Sequence, residues 1–137
     1  MFYYAKISKE DDSYLVSFPE FENINTYGCT IDEALKNAEE ALNGSIESDF
    51  ERGFLIPIPS DQTGDYYYRI YLRPHIEIAL RLKQLRSQKT QIEIAKELGV
   101  SYQAYQKLEN PRKCNPTIKT LEKIAKIYKK QIEIAIK

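Results

Sequence analysis

The stretch Gln91–Asn110, QIEIAKELGVSYQAYQKLEN, concentrates the side chains of this chain best suited to recognition chemistry. A Gln amide holds a donor and an acceptor side by side and matches the edge of adenine. A Lys ammonium donates to guanine, and a Tyr ring packs against a thymine methyl group. Such chemistry needs the side chains presented together, and the local sequence supplies a frame for that. Thr90 and Glu93 form a capping box that opens one helix, Gly99 closes it, and Ser101 caps the next. Ala95 falls where the two helices must approach closely, Gly99 permits the positive φ of a tight turn, and Val100 is expected to plug the space between them. Tyr105 and Leu108 then face inward, which leaves Tyr102, Gln103, Gln106 and Lys107 outward. Two helices joined by a short Gly-containing turn, with hydrogen-bonding residues displayed on the second, describe a helix-turn-helix.

Nothing comparable supports catalysis. His75 is the single histidine, beside Pro74 at a joint in the chain, and Cys29 and Cys114 stand alone with no CxxC. Asp11 and Asp12 belong to a turn, and Glu39, Glu40 and Glu47 form the solvent face of a helix rather than a converging metal site. There is no Ser/His/Asp set, Cys/His pair or Gly-rich phosphate loop. The expectation is a protein that is not an enzyme and needs no metal or cofactor. No apolar run approaches the ~20 residues that span a bilayer, and the start, MFYYAKISKEDD, does not look like a secretion signal. The two thiols suit a reducing compartment, so a cytoplasmic location with no membrane partner is expected.

The formal charge of zero conceals a division. Residues 1–72 hold five Lys/Arg against fourteen Asp/Glu, a balance of −9; residues 73–137 hold fifteen against six, a balance of +9. The basic half suits a phosphate backbone, whose condensed counterions each cationic contact releases. The acidic half would repel nucleic acid and attract a basic protein.

The elements follow from periodicity. FYYAKIS and SYLVSF alternate and are rich in aromatic and β-branched residues, so they read as a hairpin around the acidic KEDD, ended by Pro19. Thr30 and Glu33 cap a helix whose apolar side is Ile31, Ala34, Leu35, Ala38, Ala41, Leu42, Ile46 and Phe50, with mostly Glu, Asp, Asn and Lys on the remaining face and Gly53 after its end. IPIPSDQTGD connects it to YYYRIYL, another strand. Residues 1–72 are therefore expected to form an α+β domain of order β-β-α-β, and residues 73–137 an all-α domain. In the latter a helix carries Ile76, Ala79, Leu80, Leu82 and Leu85, and a last helix, capped by Thr117, is expected to bury Ile118, Leu121, Ala125 and Tyr128. IEIA recurs at three places with no fixed spacing. The first two copies start helices; the last, QIEIAIK, alternates Ile132, Ile134 and Ile136 against Gln131, Glu133 and Ala135 and is expected to form a C-terminal strand.

Two resemblances run along this order. Residues 80–128 resemble the Cro/phage-repressor type of helix-turn-helix domain, in the order TQIEIA, LGVS, recognition helix, Glu109, NPTIKTLEKIA. That resemblance implies that Gln91 caps its helix against a DNA phosphate. It also implies that Ser101, Tyr102, Gln103, Gln106 and Lys107 face the major groove, and that Asn110, Arg112 and Lys113 approach the backbone. Tyr105 departs from the pattern, standing where the family usually has a smaller aliphatic residue. Residues 2–72 resemble the HicB antitoxin domain through Tyr14, Val16, Phe18, Pro19, Gly28, Thr30, Glu33, Ala34, Ala38 and Leu42, closed by IPIPS; Glu20 and Cys29 stand where Asp is more usual. This second resemblance implies a truncated ribonuclease H-like fold and a small basic HicA-type ribonuclease toxin as partner, bound somewhere within 1–72. It also implies double-stranded operator DNA as the second partner, bound for autorepression.

A lone strand with three Ile on one face needs a ladder partner. The expected one is the same strand of a second copy, which gives a homodimer, or a tetramer if the acidic domain also self-associates. The alternative function is a ligand- or protein-sensing transcriptional regulator without a toxin, and a third is a metal-dependent nuclease delivered by its DNA-binding domain.

Overall fold

The computed structural model describes residues 1–137, which divide into two compact units, Met1–Ile76 and Glu77–Lys137. The first unit is one antiparallel sheet with a helix on one face. Strands β1 (Phe2–Glu10), β2 (Ser13–Phe18), β3 (Phe21–Gly28) and β4 (Tyr67–Tyr71) lie in the order β3-β2-β1-β4. Helix α1 (Ile31–Glu51) covers the sheet. The hairpin turn expected at Asp11–Asp12 is present, with Asp11 at a φ of 52°, a conformation that Asp tolerates better than most residues. Strand alternation sends Tyr3, Ala5, Ile7, Val16, Phe18, Ile24 and Ile70 to the covered face, where they meet Ala34, Ala38, Leu42 and Ile46 of α1 in a buried core. Burial and then the Glu20 carboxylate push the Tyr3 phenol up to about 12. It therefore stays a donor at neutral pH and bonds the Pro57 carbonyl at 2.6 Å.

The unit holds four strands where three were expected, its order being β-β-β-α-β. FENINTYG carries no clean strand signature, because its burial does not alternate. A register shift at Ser17/Phe18 sets Phe21 opposite Phe18, and Glu22, Asn23, Asn25 and Thr26 dilute the apolar signal. Chemistry at the β3–α1 junction explains two motif residues. Thr30 Oγ1 accepts from the Glu33 amide at 3.1 Å and caps α1. A Cβ on Gly28 would stand 2.3 Å from the Ala34 nitrogen, so only glycine lets the strand end lie against the helix start. At the other end Gly53, at a φ of 76°, and Phe54 donate to the Phe50 and Asp49 carbonyls and complete a Schellman stop.

Asn43 corrects the expected polar face of α1. It is almost fully buried. Its Nδ2 donates to the carbonyls of Glu39 at 2.9 Å and Tyr71 at 3.3 Å, and its Oδ1 accepts from the Arg73 amide at 2.8 Å. One side chain thus ties the middle of the helix to the end of the edge strand.

In the second half of the chain α2 (Pro74–Arg86), α3 (Gln91–Leu98), α4 (Tyr102–Leu108) and α5 (Ile118–Ile127) follow the expected boundaries closely. Proline is well suited to the first turn of α2 because its missing amide hydrogen has no helical partner there. Ile76, Ala79, Leu80 and Leu82 are buried. Two expectations fail here. Val100 does not plug the interhelical space; it is 41% exposed, because the left-handed turn at Gly99 carries the chain outward before α4 begins. The buried residue of α5 is Ile124, while Ile118, in its first turn, is 58% exposed. Gln131–Lys137 forms no strand within the chain and is exposed throughout; alternation makes a strand only where a ladder partner exists, and none is at hand here.

Asn43→Ala should lower the stability of the first unit by about 1–3 kcal/mol, since it removes a buried side chain that bonds three backbone groups and leaves the Arg73 amide without its acceptor. Urea denaturation followed by tyrosine fluorescence checks this. A loss below about 0.5 kcal/mol would mean that the staple contributes little.

Candidate nucleic-acid interface

The interface is built from α3, the turn at Gly99 and α4. Thr90 Oγ1 accepts from the Glu93 amide, and Ser101 Oγ from the Ala104 amide, both at 3.1 Å, so each helix begins on a side-chain cap. Gly99 adopts the left-handed conformation at a φ of 74°. Ile94, Ala95 and Tyr105 form the buried centre of the pair, with Leu98, Leu108 and Tyr128 packed around it. Ala95 occupies the close approach that the sequence assigns to it. The Tyr105 ring is fully buried there; burial, then the Glu109 carboxylate, raises its phenol well above the ordinary value.

With Tyr105 and Leu108 turned inward, Tyr102, Gln103, Ala104, Gln106 and Lys107 form the exposed face of α4. Two amides, one ammonium and one phenol therefore share a surface of two helical turns, the grouping that base-edge contacts require. Ser101 is exposed at the start of α4 while its Oγ serves as the cap acceptor. Asn110 is half-buried and builds a turn: its Oδ1 accepts from the Arg112 amide at 3.0 Å, and its carbonyl accepts from the amides of Lys113 and Cys114. That turn holds Arg112 and Lys113 exposed immediately beyond α4. Cys114 is buried, which raises its thiol to about 11. Cys29 is exposed, and neither cysteine forms a disulfide.

Gln91 is placed differently from the role that its resemblance implies. Its Nε2 lies 3.3 Å from Glu109 Oε1, so the amide bonds inward. Glu109, which sequence reasoning treats only as a helix-end residue, is the centre of the site. Its carboxylate is buried, and Arg86 grips it with Nε to Oε2 at 2.7 Å and Nη2 to Oε1 at 3.0 Å. The second Nη of Arg86 donates to the Lys89 carbonyl at 2.7 Å. One guanidinium therefore joins the end of α2, the α2–α3 loop and the end of α4, a geometry suited to the planar fork of Arg. Arg86 to Ile92, together with Tyr102, line a shallow concavity beside this pair. Lys89 there is drawn to Glu97 at 3.3 Å. The available signal for the pair was Glu109 itself, a carboxylate placed next to the recognition helix in a segment otherwise dominated by cations.

No helix is long and apolar enough to cross a membrane. The model for the HicB-like antitoxin of bacterial toxin-antitoxin systems matches residues 2–73, and a helix-turn-helix model matches residues 79–134. Antitoxin HicB 1 of Photorhabdus laumondii subsp. laumondii is 32% identical over 127 residues, covering 93% of this chain and 81% of that protein. Antitoxin HicB of Escherichia coli K12 is 32% identical over 101 residues, covering 73% of each. Among solved structures, the crystal structure of the Burkholderia pseudomallei antitoxin HicB matches 77% of this chain and 90% of its own, at 16% identity and a TM-score of 0.47.

Arg86→Met should destabilise the second unit by about 3–5 kcal/mol because it leaves a buried carboxylate without its partner. Glu109→Gln, which keeps a hydrogen-bonding group, should cost less. Chemical denaturation of both variants checks the order, and the reverse ranking would assign the stability to something other than the ion pair.

Proposed function

This chain belongs to the HicB-like antitoxin family, whose members are not enzymes, and carries a helix-turn-helix DNA-binding domain; from that premise we propose that it masks a toxin and represses its own operon. The toxin is a small basic ribonuclease of HicA type, held by the acidic half of the chain. The DNA is an operator read by α4, with Gln103, Gln106 and Lys107 at base edges and Tyr102 against a thymine methyl group. Ser101 lies at the groove wall, and Arg112 and Lys113 reach the phosphates that Asn110's turn aims them toward. Gln91 acts through Glu109, orienting the start of α3 against the backbone. Both partners meet the protein in the cytosol.

The observation that carries this reading is the coincidence of charge with domain. A balance of −9 over residues 1–72 suits a cationic protein and repels RNA, while +9 over residues 73–137 suits a polyanion. Both surfaces on one chain are what an antitoxin that also represses transcription requires.

Operators for such domains come as paired half-sites about 34–36 Å apart, which calls for two copies of the reading unit. Gln131–Lys137 supplies the means of pairing. Ile132, Ile134 and Ile136 are exposed in the single chain, and a second copy of the same segment gives them an antiparallel partner and a covered face.

Two outcomes test this. Gln103→Ala combined with Gln106→Ala should weaken binding to DNA from upstream of the gene by about 1–3 kcal/mol per lost contact, with toxin neutralisation intact. Loss of both activities in a folded variant would reject the separation of roles. Deleting Gln131–Lys137 should leave monomers in analytical ultracentrifugation and greatly weaken operator binding; an unchanged dimer would reject the ribbon.

A further inference from the structure

The segment between α1 and β4 carries three large apolar side chains that the fold itself does not cover. Leu55 is 96% exposed, Ile58 83% and Phe54 56%, yet the segment is firmly held. The Phe54 amide donates to the Asp49 carbonyl at 2.9 Å, Tyr3 Oη to the Pro57 carbonyl at 2.6 Å, and the Ser60 amide to Glu20 Oε1 at 2.9 Å, with the Ser60 hydroxyl on the same oxygen. Pro57 and Pro59 fix their own φ and push Ile56 and Ile58 into extended conformations. The result is a stiff, extended strap fastened at three points. The backbone amides of Leu55, Ile56 and Ile58 donate to no group of the chain.

We propose that this strap, Phe54–Ser60, is the docking edge for the toxin: a basic protein lays an apolar surface over Leu55 and Ile58 and bonds the free amides beside them. The charge around the strap selects that occupant. Residues 47–65 contain five Asp/Glu against one Arg, and Asp49, Asp61 and Asp65 flank the apolar residues at either end. The uncovered face of the sheet suits a cationic partner less, because Arg69 lies there over the Phe2 ring at 4.9 Å and Lys6 is exposed beside them. Because the strap is already extended and anchored, binding orders little new chain, which favours tight association.

The inference rests on the antitoxin reading above, and one experiment separates the two. The full-length chain is tested by calorimetry against the purified protein of the small basic reading frame beside its gene. The variants are Leu55→Asn with Ile58→Asn, and Tyr27→Ser on the uncovered sheet face as a comparison. Asn removes apolar contact without altering charge, and residues this exposed should leave the melting temperature and operator binding unchanged. The expected result is tight binding by the parent chain and by Tyr27→Ser, and a loss of roughly a hundredfold or more in the double variant. Equal binding by parent and double variant would overturn the strap while leaving the antitoxin reading standing, as would a loss confined to Tyr27→Ser. No binding by the parent would overturn both. A further check is charge: Asp49→Asn, Asp61→Asn and Asp65→Asn together should slow association and flatten its salt dependence. An association rate unmoved by these changes would contradict the electrostatic selection.

Discussion

A carboxylate taken out of water must be paired, and Glu109 meets that requirement through Arg86. Because Glu109 caps α4 and Arg86 ends α2, this one demand holds α4 in register with α2 and with the loop that leads into α3. The neighbouring phenols of Tyr105 and Tyr128 stay un-ionised beside it, their acidity suppressed by burial. The polar face of α4 is therefore displayed by a braced frame, so the proposed reading of DNA by that face would require little ordering of it.

A second constraint operates in the first unit. The sheet is short, with a five-residue edge strand, and one helix has to cover it. Gly28 allows the helix to start against the strand, and Asn43 fixes the middle of that helix to the end of the edge strand. Tyr3 and Glu20 then hold down the long connector. Most of the other acidic residues are left to solvent by this arrangement, so the negative field belongs to the outside of a small, well-braced body.

Much of this was readable from residue order, and the failures have physical causes. Caps were legible because a Thr or Ser followed by a free amide has few other uses; Thr30, Thr90, Ser101 and Thr117 all act as read. The outward face of α4 followed from helical spacing once Tyr105 was assigned inward. β3 was not legible, because a bulge breaks the alternation on which strand reading depends. Asn43 was assigned to a polar face and the burial of Glu109 was not foreseen, because burial with full pairing depends on partners remote in sequence. Val100 and Ile118 show the converse, apolar residues that the helix geometry leaves outside.

The central claim is that two oppositely charged units of one chain serve two partners. Backbone amide shifts of the ¹⁵N-labelled protein, recorded with operator DNA and separately with the basic toxin, test it most directly. DNA should move resonances around Gln103, Gln106 and Lys107, and the toxin those of residues 1–76. Overlapping perturbations within a single unit would contradict it.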